Sequence, residues 1–283
     1  MGGHALTKRI PPSLKQRVPA LRERDALRRE VKGLREQVAA LEALLDHERL
    51  FPAEWADRRV RDHFGSEVRR GPFAGMAYPD WALGTIDRLA PKLLGIYELE
   101  LHDAVERLIA RSPELVMNVG AADGYYAVGL ARRLPEARIV ACELDEQRLA
   151  ALAGLAELNG VRDRIELVVG ACDHDTLDNM LGASSAVVCD IDGGERDLLR
   201  PELAPSLGQA WLLVEVHDHI EPGTHDALRA AFADSHEIAD IPGQPRDIGG
   251  FPELDFIPWV TRRLAIDEFR GREMGWLELT PKA

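Results

Sequence analysis

A mostly parallel α/β sheet, covered by helices on both faces, is the fold class that the 283-residue sequence predicts. Three observations carry it. From Glu114 onward, short apolar runs alternate with helix-spaced segments, and this alternation builds crossover-connected parallel strands. The early runs, such as Leu115-Val116-Met117-Asn118-Val119, are apolar nearly throughout rather than at every second position, as strands buried on both faces must be. The first run ends in a tight glycine turn, Gly120-Ala121-Ala122-Asp123-Gly124, which opens into a helical pattern at Tyr125, Val128, Leu130, Ala131 and Leu134.

Composition sets the outer bounds. Apolar residues at 46% and charged residues at 29% suit an ordinary globular chain with a sizeable core. No run approaches the eighteen or so apolar residues of a membrane span, and the N-terminus lacks the apolar centre of a secretion signal. A cytoplasmic protein with no membrane partner is expected. Cys142, Cys172 and Cys189 lie in or beside predicted strands without metal-site spacing, so they read as small buried hydrophobes. Charge divides unevenly: residues 1–50 hold 11 Lys+Arg against 7 Asp+Glu, and the remainder 24 against 41. So acidic a body repels phosphates at long range, and no nucleic-acid partner is expected.

The elements follow in order. Residues 1–19 carry Pro11, Pro12 and Pro19 with no period, and read as a flexible arm. Leu27, Val31, Leu34, Val38, Leu41 and Leu45 then repeat at spacings of four and three, an a/d seam flanked by charges. Residues 1–50 are therefore expected to be an arm and short coiled coil that joins two copies into a homodimer. Its alternative is one amphipathic helix packed on its own domain. Residues 51–110 form a helical cap or lid region. Phe51-Pro52 interrupts the first helix, Glu54 to Phe64 continues as helix, the aromatic loop 71–81 follows, and Trp81 to Leu94 (broken at Pro91) and Tyr97 to Ala110 read as helices. Residues 111–283 form the sheet domain, with strands at 115–119, 138–143, 165–169, 185–190, 210–216, 236–241 and 275–279. Helices are expected at 124–134, 146–158, 174–181, 195–203 and 224–233, and a Pro/Gly-rich insertion runs from Pro242 to Pro258.

The glycine turn selects a ligand. A pyrophosphate site of the G-x-G-x-x-G kind needs its middle glycine for close backbone approach, and here that glycine is absent. Asp123 sets a carboxylate beside the turn, and no Gly-Lys-Ser/Thr follows, which excludes a P-loop. A ligand with a sulfonium, an ammonium and a carboxylate but no phosphate suits this turn, and S-adenosylmethionine is that ligand. Glu143, roughly twenty residues past the glycines at the end of the second strand, is placed to accept ribose hydroxyls. Asp173, after the third strand, is placed near the adenine edge.

With Val116-Met117-Asn118-Val119-Gly120-Ala121-Ala122-Asp123-Gly124, Glu143, Asp173 and this order of strands, residues 111–283 resemble class I S-adenosylmethionine-dependent methyltransferases. The resemblance implies a Rossmann-like seven-stranded sheet whose last strand is antiparallel. It also implies a cofactor site at Asn118, Gly120, Ala121, Ala122, Gly124, Tyr125, Tyr126, Glu143, Leu144, Cys172, Asp173 and Asp190. Asn118 departs from the family, which more often has an acid there. Asp190-Ile191-Asp192-Gly193-Gly194-Glu195 and Glu215-Val216-His217 are similar to the fourth- and fifth-strand motifs of the FkbM-like subgroup, which implies O-methylation of a sugar, glycan or small molecule.

For such a transfer His217 is the first choice of general base, because its unperturbed pKa lies near working pH. Asp190 is the second choice or orients the acceptor, and Glu215 completes the catalytic set. Asp192, Glu215 and His217 are also oxygen and imidazole ligands for a divalent metal, as the resemblance permits, though spacing alone overpredicts ligands and metal dependence is the minor reading. Arg246, Arg262 and Arg263 are candidates to contact an acidic group on the acceptor. Two other functions compete: an NAD- or nucleotide-sugar-dependent oxidoreductase on a similar sheet, and a non-catalytic cofactor-binding scaffold held by its coiled coil.

Overall fold

The computed structural model describes residue 27 and residues 31–34, 52–268, 270 and 274–282. The chain divides into two compact units, Met1–Pro52 and Ala53–Ala283. In the first, residues 27 and 31–34 are helical, and Leu27, Val31 and Leu34 are exposed. The rest of the heptad seam and of the expected arm lies outside the described residues.

The second unit is a seven-stranded sheet with strand order β3-β2-β1-β4-β5-β7-β6. The strands are β1 Leu115–Val119, β2 Arg138–Glu143, β3 Ile165–Val169, β4 Ser185–Cys189, β5 Trp211–Val216, β6 His236–Pro242 and β7 Gly275–Pro281. All five runs expected first are parallel, and β7 inserts antiparallel between β5 and β6. This is the arrangement that the resemblance implies. The observed strand ends agree with the sequence reading to within two residues.

Strand composition explains the two layers. In β1, Val116 packs into a core with residues of the helical layer before the sheet, while Leu115, Met117 and Val119 pack into a second core on the other face. Both sides are therefore dry, which is why the strand is apolar throughout. The first face carries α1 (Pro52–Phe64), α2 (Leu89–Leu94), α3 (His102–Arg111), α4 (Tyr125–Arg133) and α5 (Glu146–Leu158), whose buried residues include Ala56, Leu93, Val105, Leu130 and Leu152. The second face carries α6 (His174–Met180), α7 (Glu195–Leu198) and α8 (Thr224–Phe232), through Leu177, Leu198 and Phe232. A final helix, α9 (Trp259–Ile266), follows two 3₁₀ turns in the Pro/Gly-rich insertion.

The helices before the sheet share its core: Phe73 and Tyr78 are buried, with Phe73 against Tyr125 and Tyr126 of α4, while Trp81 is half exposed. Three helical expectations change. Pro91 does not break a helix; it lies in the first turn of α2, where a missing N–H costs no intrahelical bond. The long helices expected at 81–94 and 97–110 shorten to α2 and α3, each preceded by a 3₁₀ turn. The helix expected at 195–203 stops at Leu198, because Arg200 precedes Pro201 and the residue before proline disfavours helical backbone.

Candidate functional site

The chain order reverses between β1 and β4, and the crevice at the carboxyl ends of these strands is the switch point of the sheet. The loops after β1, β2, β4 and β5 line it, and the loop after β3 does not. The first is the glycine turn. Gly120 and Ala121 donate their N–H groups to the carbonyl of Cys142 (3.0 Å each), which pins the turn to the end of β2. Gly120 has φ +77°, and a Cβ on it would lie 1.6 Å from the Asp190 carbonyl oxygen. Only glycine lets β1 and β4 end this close together. Ala122 also has positive φ, at 45°.

Glu143 organises the same turn. Its Oε2 accepts the Ala122 N–H (2.8 Å) and its Oε1 the Asp145 N–H (3.0 Å). Each carboxylate oxygen has a second lone pair to offer. Asp173 is exposed and caps α6, accepting the Thr176 N–H at 2.8 Å; Thr176, through its side chain and then its N–H, holds the carboxyl below the usual range. Leu144 is 71% exposed beside Glu143. Cys172 is half-buried, with its thiol directed at the Asp173 carbonyl at 3.9 Å. Cys142 and Cys189 are buried, as small hydrophobes should be.

Three expected cofactor contacts are placed differently. Asn118 is buried in β1, donates to the Val188 carbonyl at 3.4 Å, and leaves its Oδ1 buried without a partner among the described residues. Tyr125 packs edge-on to Phe73 and Tyr97, and Tyr126 donates its hydroxyl to Glu98. Burial raises both phenols well above their ordinary range. Asp123 is not a bare negative charge, for Lys92 of α2 pairs with its carboxylate at 2.5 Å while lying over the Tyr97 ring. That pairing corrects the sequence argument from Asp123 against a phosphate.

The ends of β4 and β5 hold a different arrangement. Asp192, Gly193 and Gly194 all take positive φ, a tight reversal that carries Asp192 outward and starts α7 at Glu195. Glu195 is fully buried; its Oε1 accepts the Gly193 N–H at 3.0 Å and lies 2.7 Å from Nδ1 of His217. The other face of the ring looks into the crevice, with Nε2 3.5 Å from Asp192, 3.7 Å from Asp190 and 3.7 Å from Glu215. Burial works against a charged His217, but the Glu195 hydrogen bond and the carboxylates of Glu215 and Asp192 outweigh it and raise the imidazole. Burial, then Glu215, pushes the Asp190 carboxyl well above the ordinary range.

Residues with no sequence signal complete this half. Arg270 donates to Glu98, Glu215 and Glu268, at 2.6 Å to Glu98 and 2.8 Å to Glu268. Burial alone would lower its guanidinium, but the three carboxylates raise it. Glu98 is pushed up to about 7 by burial, against the pull of Arg270. Lys92, Glu98 and Arg270 all come from outside the motifs. Glu195 stood inside one and was not singled out for a role.

A cavity of about 410 Å³ connects these parts, lined by Ala122 and Asp123 of the turn, Asp190, Asp192, Glu215 and His217, and by Lys92, Tyr97, Glu98 and Arg270. Seven carboxylates line it against four lysine or arginine cations. A second cavity of about 390 Å³ shares Arg270 and Met274 with it and extends under the insertion. Arg246 lines this second space but is buried between Glu100 and Glu268, while Arg262 pairs with Asp255 and Arg263 with Asp267. These three arginines are thus already partnered and are poor contacts for an acidic acceptor.

For a metal, Asp190, Asp192 and His217 each offer one ligand atom, all within 4.8 Å of one another. The set has Asp190 where the sequence reading had Glu215, which is bound to Arg270. Among the described residues no helix is long and apolar enough to cross a membrane.

No protein-family model matches the chain. Over 127 residues it is 35% identical to the release factor glutamine methyltransferase of Chlorobaculum tepidum, a stretch covering 42% of this chain and 39% of that protein's length. Among solved structures, cofactor-bound Rv0187 from MTB superposes with a TM-score of 0.46 at 18% identity, covering 84% of this chain and 95% of that one. The O-methyltransferase TomG from Streptomyces achromogenes, in complex with SAM, gives 0.43 at 17%, covering 64% and 81%. Scores of this size carry no argument. The Rossmann-like methyltransferase fold rests on the order and direction of the strands.

Proposed function

We propose that the chain is an S-adenosylmethionine-dependent methyltransferase that delivers its methyl group to a hydroxyl of a small molecule, sugar or glycan. The observation that carries the reading is the charge of the switch-point cavity, where seven carboxylates face four lysine or arginine cations. A sulfonium and an ammonium gain in such a field, and the pyrophosphate of a dinucleotide or nucleotide sugar loses. The name of the matched curated relative supports the reaction class. The similarity of the β4 and β5 motifs to the FkbM-like subgroup supports the hydroxyl acceptor.

Bound in the cavity, S-adenosylmethionine supplies an activated methyl group. Gly120 and Ala121 hold the turn against β2, and Glu143 keeps a lone pair on each oxygen for the ribose hydroxyls. His217 Nε2 takes the acceptor proton. Asp190, 3.7 Å from the same nitrogen, orients the acceptor oxygen. Glu215 is anchored by Arg270 and fixes that wall. Alignment of the acceptor at about 3 Å supplies several kcal/mol of the barrier. A divalent ion at Asp190, Asp192 and His217 is a secondary element of the proposal.

Calorimetric titration with S-adenosylhomocysteine, with and without EDTA and added magnesium, tests the reading. We expect micromolar binding, about tenfold or more weaker in Glu143→Ala, which loses a charged acceptor, and unchanged in His217→Ala. Absence of binding at high micromolar ligand ends it. An amide-nitrogen acceptor is the second reading, favoured only by the relative's name, and a panel of hydroxyl and amide acceptors separates the two. Binding without turnover across the panel would favour the scaffold function. We also assign a homodimer contact to the heptad seam; deletion of residues 1–50 then lowers the mass measured by light scattering, and an unchanged mass refutes the contact.

A further inference from the structure

We propose that Glu195 is a positioning residue of this site: through its hydrogen bond to Nδ1 it fixes the tautomer and ring orientation of His217, so that a lone pair at Nε2 faces the cavity. The inference rests on the reading of His217 as the group that receives the acceptor proton, and it adds a residue to which no role has been given.

Four observations support it. Glu195 is fully buried, and its Oε1 is already an acceptor for the Gly193 N–H at 3.0 Å. An ionised carboxylate oxygen only accepts, so at 2.7 Å from Nδ1 the imidazole nitrogen is the donor. The buried carboxyl is also held below its ordinary range by the His217 and Gly193 hydrogen bonds despite burial, as an ionised acceptor should be. Once Nδ1 carries the proton, the neutral ring has its lone pair at Nε2. There the nearest carboxylates, at 3.5 to 3.7 Å, stand beyond a good hydrogen bond and leave Nε2 for a group entering from the cavity.

The local backbone is shaped to hold this pair. The turn Asp192–Gly194 has three successive residues with positive φ, and Gly193 supplies the N–H that fixes the carboxylate. Among the described residues Glu195 Oε2 is buried without a hydrogen-bond partner. A carboxylate placed only for stability would have both oxygens satisfied. A charged acceptor behind an imidazole is instead the arrangement that orients a histidine for proton transfer, or for ligating a metal through its far nitrogen.

The test reads the proton directly. Full-length protein labelled with ¹⁵N-histidine is examined by NMR with EDTA present at about pH 9, well above the ordinary histidine range, and His217→Gln identifies the resonance. We expect the Nδ1–H form in more than about tenfold excess, the preference that a charge-assisted bond of about 1.5–3 kcal/mol gives. In Glu195→Gln, whose amide can either accept or donate, that excess is lost. A wild-type proton on Nε2, or an unchanged tautomer in Glu195→Gln, overturns the proposal. The wild-type spectrum alone decides if the variant does not fold. The titration with S-adenosylhomocysteine is independent: its failure removes the methyltransferase reading and leaves the tautomer result standing.

Discussion

At the ends of β2 and β3 the carboxylates are bonded to backbone; at the ends of β4 and β5 they face one another and a cation brought from far along the chain. Glu143 accepts two N–H groups and Asp173 caps a helix. Asp190, Asp192, Glu195 and Glu215 instead surround His217, and Arg270 closes the group against Glu98 and Glu268. The first half is a shape made by the chain's own hydrogen bonds. The second is a balance of charges in a partly dry space. Cofactor binding needs a fixed cradle, and proton transfer needs groups whose charge can change, so each half is built from the material its task requires.

The cradle is broken most severely at Gly120. Its Cβ would overlap the Asp190 carbonyl, which is backbone and cannot rotate away, and its φ is left-handed. We expect Gly120→Ala to cost about 5 kcal/mol or to abolish folding, read by urea unfolding. Gly160→Ala is the control: φ is +67° but no atom lies within 4 Å of the new Cβ, so strain alone acts and the loss should be near 1 kcal/mol. Equal losses in the two variants would show that the contact between the ends of β1 and β4 is not what makes the cradle.

The same contrast explains what was legible in the sequence. The cradle was readable because its parts are local: the apolar run of β1, the glycines and Glu143 each sit at a fixed distance from a strand end. The sheet was readable for a related reason, since fully apolar runs demand two covered faces. Asp190, Glu215 and His217 were also found, because strand ends converge on one edge whatever the loops do. Their partners were not. Lys92 follows a proline that looked like a helix breaker, Glu98 precedes a short 3₁₀ turn, and Arg270 follows the last helix. A lone charge has no period, and its value depends on which elements pack above the sheet. Tyr125 and Tyr126 show the converse error, for they lie next to the turn in sequence yet point into the aromatic core.

The charge-built half gives the smaller but more informative effect, through Arg270→Met. The variant keeps the length of the side chain and removes the only cation that joins Glu98, Glu215 and Glu268 among the described residues. Losing one partner of a buried ionic group costs about 3 kcal/mol, because the others remain desolvated and uncompensated. The pH dependence identifies the cause. Burial pushes Glu98 from its ordinary 4.5 up to about 7, with Arg270 pulling it down and Glu215 and Glu268 adding to the rise. A carboxyl whose folded pKa lies above its unfolded one contributes stability that is present at low pH and lost as pH rises through the folded value. Removing Arg270 takes away the downward pull, so Glu98 holds its proton to still higher pH and the penalty grows across that window. Urea unfolding should show a loss of about 3 kcal/mol at pH near 8, and about 1 kcal/mol at pH near 5, where protonation relieves the repulsion. A penalty that does not change with pH would mean that Arg270 acts by packing its stem, and the wall at Glu98 and Glu215 would then be held by shape, as the cradle is.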